Sequence, residues 1–366
     1  MNPGDARRLD PLTSLRFFAA LGVFVFHMQA LGLKAPPYAP QGVSFFFVLS
    51  GFILTYVHPQ VGSLREFYLK RVARIWPVHL LGFAIVVTLI PWPATGIVLA
   101  NLLLLHAWVP TGEFVFSFNA VSWSVSNELF FYLLFPFMAR SRRIVAWVLG
   151  AGFLTLAIVV AANRFWAVPL GTTGFAWMHI LLQHPLTRFF EFVVGAALGR
   201  HFLATSTRPP GWLARWPTLV EVATVALLAA CLVATLPVAV WMNKPHGGWL
   251  LGPGASTWWM QMGALPAFAA AILVFAHGRG KVSHFLSLPF LVLLGEISYS
   301  TYMLHQLTMA IVTPKRIVEA LGLPGAVLLA IAATYTLSYV CWRWLEKPVR
   351  AAIAGWASSG RPSTAT

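Results

Sequence analysis

Long apolar stretches recur along the chain, separated by short polar connections. Candidate spanning helices cover roughly 12–33, 42–58, 123–138, 144–163, 186–202, 218–241, 257–276, 286–312 and 324–345. About 20 apolar residues suffice to cross the hydrocarbon layer of a bilayer. The stretch 78–108 is also apolar, but Pro91-Trp92-Pro93 interrupts it, and helices seldom run unkinked through such a pair.

The distribution of Lys and Arg sets the count. With the N-terminus in the cytoplasm, 19 of the 25 basic residues fall on the cytoplasmic side, and only Lys34, Arg164, Arg188, Lys244, Lys315 and Arg316 lie opposite. Such a bias orients membrane proteins. The two halves of the chain agree only if 78–108 crosses once in net. Residues 78–91 then form the crossing, and 95–108 an interfacial or re-entrant piece on the outer side. The predicted class is an all-α polytopic membrane protein with about ten transmembrane helices and both termini cytoplasmic. Residues 1–355 read as one transmembrane domain. The Ser/Thr/Gly/Pro-rich tail 356–366 is expected to be disordered.

Composition agrees with this class. Of the 366 residues 58% are hydrophobic and 10% charged, with mean hydropathy +0.75, whereas soluble domains carry about 25% charged residues. In a soluble protein a net charge of +15 would suggest nucleic acid. Here the cytoplasm-facing excess explains it, so the expected surface partner is membrane lipid, with no nucleic acid. Cys231 and Cys341 both fall in apolar segments and read as packed thiols. The first segment follows Arg7 and Arg8 like a secretory signal. Its length, its Arg16 and the lack of a small-residue cleavage site mark it as a retained helix.

That first segment carries two ionisable groups, Arg16 and His27. Eleven residues separate them, about three helical turns or roughly 16 Å, so both lie on nearly one face. Ionisable groups in hydrocarbon are costly and persist mainly where they face a protein interior or a wet cavity. A snorkelling arginine with a hydrogen-bonded core histidine is the alternative. On the predicted topology His27 lies in the outer half of its helix. The same depth is expected for Glu128, in the stripe Ser124, Glu128, Tyr132 with Asn127 beside it, and for His305, in the stripe Ser298, Thr301, Tyr302, His305. Arg188 and Glu191 also start their helix there, either as part of the site or as a helix-packing pair. Glu296 reads as a structural or protonated carboxyl near mid-membrane. On the inner side Arg65, Lys70, Arg71 and Arg74 form a basic run. Paired arginines suit phosphate through their forked donors, and such a run also suits anionic lipid. The run Gly42–Gly51 permits close backbone approach.

Taken in order, these pieces resemble the acyltransferase-3 family of integral membrane O-acyltransferases. The matching residues are Leu12-Thr-Ser-Leu-Arg16 with His27, the Gly42–Gly51 run, Phe67-Tyr68-Leu69-Lys70-Arg71 with Arg74, and Ser122-Trp123-Ser124 leading to Asn127 and Glu128. Arg188 with Glu191, Ile297 to Tyr302 with His305, and Glu346-Lys347-Pro348 complete the match. The resemblance implies transfer of an acyl group, most often acetyl, from cytoplasmic acyl-CoA to a hydroxyl of a glycan or glycolipid on the outer side. No metal is expected, and the bacterial inner membrane is the expected location. By the resemblance Arg16 and His27 are the family's Arg/His pair, Arg71 and Arg74 with Lys70 hold the CoA phosphates, and Glu128 is the acidic position. Position 44 is Ser where many members have Asp, and position 296 is Glu where a basic or neutral residue is commoner. Some members carry a fused C-terminal hydrolase-like domain, and none is expected here.

An imidazole at that depth suits a general base or a transient acyl carrier, with Glu128 orienting it or holding the acceptor. A transporter or flippase for a sugar-lipid or anionic substrate would use the same intramembrane charges. The outer loops 109–122, 164–185 and 241–256 are rich in Trp and Phe, which suits either sugar stacking or an interfacial belt.

Overall fold

The computed structural model describes residues 8–89, 93–166, 176–207, 209–244 and 249–359, with side chains to residue 356. The Pro91-Trp92 interruption, Arg7, Arg208 and Arg361 of the charge pattern, the middles of the outer loops 164–185 and 241–256, and residues 360–366 of the expected tail lie outside the described residues.

Among the described residues every regular element is helical. The α-helices are α1 Asp10–His27, α2 Gly42–Val57, α3 Leu64–Val87, α4 Thr95–Leu102, α5 Gly112–Val115, α6 Trp123–Arg140, α7 Ile144–Phe165, α8 Trp177–Leu182 and α9 Pro185–Thr205. They continue as α10 Gly211–Arg215, α11 Pro217–Met242, α12 Pro253–Met262, α13 Leu265–His277, α14 Lys281–Leu286, α15 Pro289–Glu296, α16 Ser298–Val312, α17 Lys315–Cys341 and, after a π-helical turn Trp342–Glu346, α18 Lys347–Ser359. Six stretches are long and apolar enough to cross a bilayer: Asp10–Leu31, Ala39–Val57, Ile144–Phe165, Pro217–Met242, Pro253–His277 and Lys315–Trp356.

Several boundaries differ from the sequence expectation. The basic run Arg65–Arg74, which lies between the expected spans, is helical from Leu64. Ser63 caps it by accepting from the Glu66 amide at 3.3 Å, and Glu66 pairs with Lys70 one turn on at 2.7 Å. The span expected at 257–276 is broken between α12 and α13, and the one at 286–312 is broken at Ile297 between α15 and α16. The last span starts earlier, at Lys315, and bends where Gly322 takes φ 66° just before Pro324. The expected tail also starts late, because α18 continues through Ser359.

Glycines decide how closely the central helices meet. A methyl on Gly195 of α9 would overlap the Val48 carbonyl of α2, and one on Gly51 would overlap the Phe192 carbonyl. Backbone therefore touches backbone along the α2–α9 seam. On its α6 side the seam is filled by rings. Phe131 stands edge-on to Phe47 at 5.1 Å and stacks on Phe192 at 4.9 Å. We expect Gly195→Ala to cost about 1–3 kcal/mol, the range for forcing extra methylenes into a filled core. It should lower the thermal midpoint in detergent by several degrees, and a midpoint equal to wild type would refute the seam as drawn.

Candidate active site: a basic mouth, an inner cavity and a histidine pair

Three groups of side chains converge around α1. The first is a wide mouth of about 680 Å³. Arg8, Arg16, Lys70, Arg71, Arg74, Lys347 and Arg350 line it, with Glu296 as its acid. Helix α3 supplies three of these cations because Lys70, Arg71 and Arg74 lie within about one turn. Helix α18 supplies two more. Burial lowers the Arg71 guanidinium from its ordinary value to about 10, which leaves it charged at neutral pH. Its Nε is buried with no hydrogen-bond partner among the described residues. His58, at the end of α2, is pulled to about 4, first by burial and then by Arg71 and Lys70, so it stays neutral and adds no charge.

The second group is an inner cavity of about 160 Å³. Thr13, Arg16, Arg71 and Arg74 line both spaces, so the mouth leads into this cavity. Further in, its walls are Ser124, Glu128, Tyr132, Tyr299 and Tyr302, together with Val43, Phe46 and Phe47 of α2. Tyr132 donates to Glu128 at 2.9 Å, as their spacing of four along α6 allows. Tyr299 donates to the Ile75 carbonyl of α3 at 2.7 Å and ties α16 to the basic helix.

The third group is a pair of imidazoles from the ends of the chain. His27 Nδ1 lies 3.0 Å from His305 Nε2 and 2.9 Å from the Val23 carbonyl. His305 Nδ1 lies 2.7 Å from the Tyr302 carbonyl, so that nitrogen carries a proton and Nε2 is an acceptor. His27 Nδ1–H then donates to both the Val23 carbonyl and His305. This network assigns the free lone pair of His27 to Nε2. His305 is 1% exposed, whereas His27 is half-buried.

His27 lines neither space. Tyr302 lines the cavity, and its ring centroid stands 6.0 Å from that of His305. Of the residues expected at one depth, His27 and His305 meet, and Glu128 and the Arg188–Glu191 pair make other contacts. Glu128 stands with Arg16, Arg71 and Arg74 rather than with His27, and the group that orients His27 is His305.

Other sequence candidates hold the bundle together. Arg188 and Glu191 are both 0% exposed, with Nε and Oε2 2.9 Å apart in an ion pair not aligned as a hydrogen bond. Arg188 donates to Ser44 Oγ at 3.1 Å, and Ser44 donates to the Gln261 carbonyl at 2.6 Å. The guanidinium sits over Phe47 at 5.1 Å and Trp123 at 5.8 Å. Asn127 donates to the Gln183 carbonyl at 2.9 Å and anchors the segment ahead of α9. Glu296, expected as a structural or protonated carboxyl near mid-membrane, lines the mouth and accepts from Arg8 at 2.6 Å.

The sequence reading missed Lys347, Arg350 and Arg8 as lining residues and treated them as general cytoplasmic charge. The available signal was the spacing of Glu346 and Arg350, which pair at 3.1 Å across one turn.

The acyltransferase-3 family model, described as an acyltransferase domain, matches residues 11–343. The chain is 30% identical over 340 residues to acyltransferase MdmB of Streptomyces mycarofaciens, covering 83% of this chain and 79% of that protein. It is 24% identical to the O-acetyltransferase OatA of Staphylococcus aureus, covering 94% of this chain and 57% of OatA. It is 25% identical to the putative peptidoglycan O-acetyltransferase YrhL of Bacillus subtilis, covering 94% and 55%. The chain thus spans little more than half the length of these last two proteins. No solved structure matches it. A family match from the first helix to the π-helical turn, joined to six apolar helices, leaves one conclusion: the chain belongs to the acyltransferase-3 family and is a membrane enzyme that transfers acyl groups.

Proposed function

We propose that the protein transfers an acetyl group from acetyl-CoA, bound at the basic mouth, to a hydroxyl of a glycan or glycolipid on the opposite side of the bacterial inner membrane. In this reading the chain crosses the membrane about ten times with both termini cytoplasmic, and residues 1–355 form one domain. The observation that carries the proposal is the continuity of a seven-cation mouth with a narrow, largely apolar cavity through the shared side chains Arg16, Arg71 and Arg74. A coenzyme A thioester has this division of properties, with phosphates at one end and a thin arm at the other. The buried, unpartnered Nε of Arg71 is a donor awaiting an anion. Acetyl transfer is supported by the names of OatA and YrhL, both called O-acetyltransferases, and a glycan acceptor by that of YrhL, a putative peptidoglycan O-acetyltransferase.

The arm runs past Arg16 into the cavity, and the Tyr302 ring at its end turns aside to admit the thioester to the histidine pair. His27 Nε2 takes the proton of the acceptor hydroxyl as that oxygen attacks the thioester carbonyl carbon. The carbon–sulfur bond then breaks, and the departing thiolate recovers the proton from His27. Glu128, held by Tyr132, faces Arg16, Arg71 and Arg74 across the cavity and sets the position of their forks around the arm.

Purified protein in detergent should bind acetyl-CoA in calorimetry and release free CoA when an acceptor glycan is added. Arg74→Ala should raise the KM for acetyl-CoA about tenfold, the effect of one charge-assisted contact. Absence of acetyl-CoA binding by wild type would overturn the donor assignment.

A further inference from the structure

The seven cations of the mouth fall into two sets. Arg16, Arg71 and Arg74 also line the inner cavity, so they ring the neck where a thin arm would enter. Arg8, Lys70, Lys347 and Arg350 line the mouth alone, on its outer side. Within this outer set, carboxylates neutralise most of the charge. Arg8 contacts Asp10 and Glu296, and Lys70 contacts Glu66 at 2.7 Å. Arg350 offers Nη1 to Glu346 at 3.1 Å and keeps its other donors. Lys347 has no carboxylate partner among the described residues, and its ammonium lies 5.1 Å from the Trp342 ring centroid.

Helix α18 is fixed where it can present these two groups. Ser300 donates to the buried Glu346 at 3.0 Å, at the end of the π-helical turn. Near the other end of α18, the Arg65 guanidinium of α3 lies 4.6 Å from the Trp356 ring centroid. Lys347 and Arg350 are one turn apart on a helix held at both ends, so little freedom is lost when they meet an anion.

We infer that Lys347 and Arg350 of the C-terminal helix form a separate subsite for a phosphate monoester, the 3′-phosphate on the ribose of coenzyme A, distinct from the neck arginines that take its diphosphate. This rests on the acyl-CoA reading of the mouth. In the thioester the diphosphate sits between the arm and the nucleoside, and the 3′-phosphate lies on the nucleoside beyond it. Neck and outer set follow the same order.

The test compares acetyl-CoA with 3′-dephospho-acetyl-CoA by calorimetry on the full chain in detergent. Wild type should prefer acetyl-CoA about tenfold, the effect of one charge-assisted contact. Lys347→Gln with Arg350→Gln should shrink that preference to less than about twofold, by weakening acetyl-CoA and leaving the dephospho compound nearly unchanged. Lys347→Glu alone, at an exposed position that leaves the Glu346–Arg350 pair in place, should also weaken acetyl-CoA more than the dephospho compound. Equal binding of the two compounds by wild type, or a full preference surviving in the double variant, would overturn the subsite and leave the donor reading standing. Failure of wild type to bind either compound would remove the donor reading and the subsite with it.

Discussion

His27→Ala should transfer acetyl groups about 10³-fold more slowly than wild type, within the range lost when a positioned general base is removed. Its KM for acetyl-CoA should stay near the wild-type value, because on the proposed reading the phosphates meet the mouth arginines, and His27 lines neither the mouth nor the cavity. The same network gives His305 a distinguishable part. Its Nε2 accepts from His27 Nδ1–H at 3.0 Å and helps keep the reactive lone pair on the far nitrogen. His305→Phe should therefore lower kcat by about 10- to 100-fold, the usual cost of losing a partner that orients a functional histidine. His305→Gln, whose amide oxygen can accept the same proton, should recover much of it. Steady-state rates with a defined acceptor glycan check the series. A wild-type rate in His27→Ala would end the assignment, and equal rates for the Phe and Gln variants would reduce His305 to a space-filling role.

The second large effect concerns stability. Arg188→Ala should destabilise the protein by about 3–5 kcal/mol, because it strands a buried carboxylate. Glu191 is 0% exposed, and the Arg188 guanidinium also links Ser44 of α2 to the rings of Phe47 and Trp123. Arg188→Met combined with Glu191→Leu removes both charges while keeping most of the volume, and such replacements are often neutral. The double variant should recover most of the loss in thermal unfolding. Since neither residue lines the cavity or the mouth, it should also keep its KM for acetyl-CoA. A single variant as stable as wild type, or a double variant no better than the single, would show that the pair does not hold the seam.

Much of this was legible from residue chemistry. The cost of charge in hydrocarbon marked Arg16 and His27, and the bias of Lys and Arg marked the basic helix that became one wall of the mouth. The spacing of four between Glu128 and Tyr132 gave their hydrogen bond. Three things were not legible. His305 reaches His27 across 278 positions, and local periodicity carries no information about such a meeting. That Glu128 lines a cavity with Arg16, Arg71 and Arg74 depends on how α6 enters the bundle, which hydropathy does not encode. Lys347 and Arg350 follow a π-helical turn that departs from the α-helical period, so their facing toward the mouth could not be counted from α17. The helical start at Leu64, by contrast, was readable. Ser63 with Glu66 three residues on is a helix-opening signature, and the density of positive charge masked it.

The α2–α9 seam carries a mechanical consequence. Two rods with carbonyls pressed against bare α-carbons cannot slide or splay without collision, so they behave as a single stiff plank. Room for a bulky acceptor would then have to open away from this plank, on the side where Tyr299 and Tyr302 of α16 donate to the carbonyls of Ile75 and Val121.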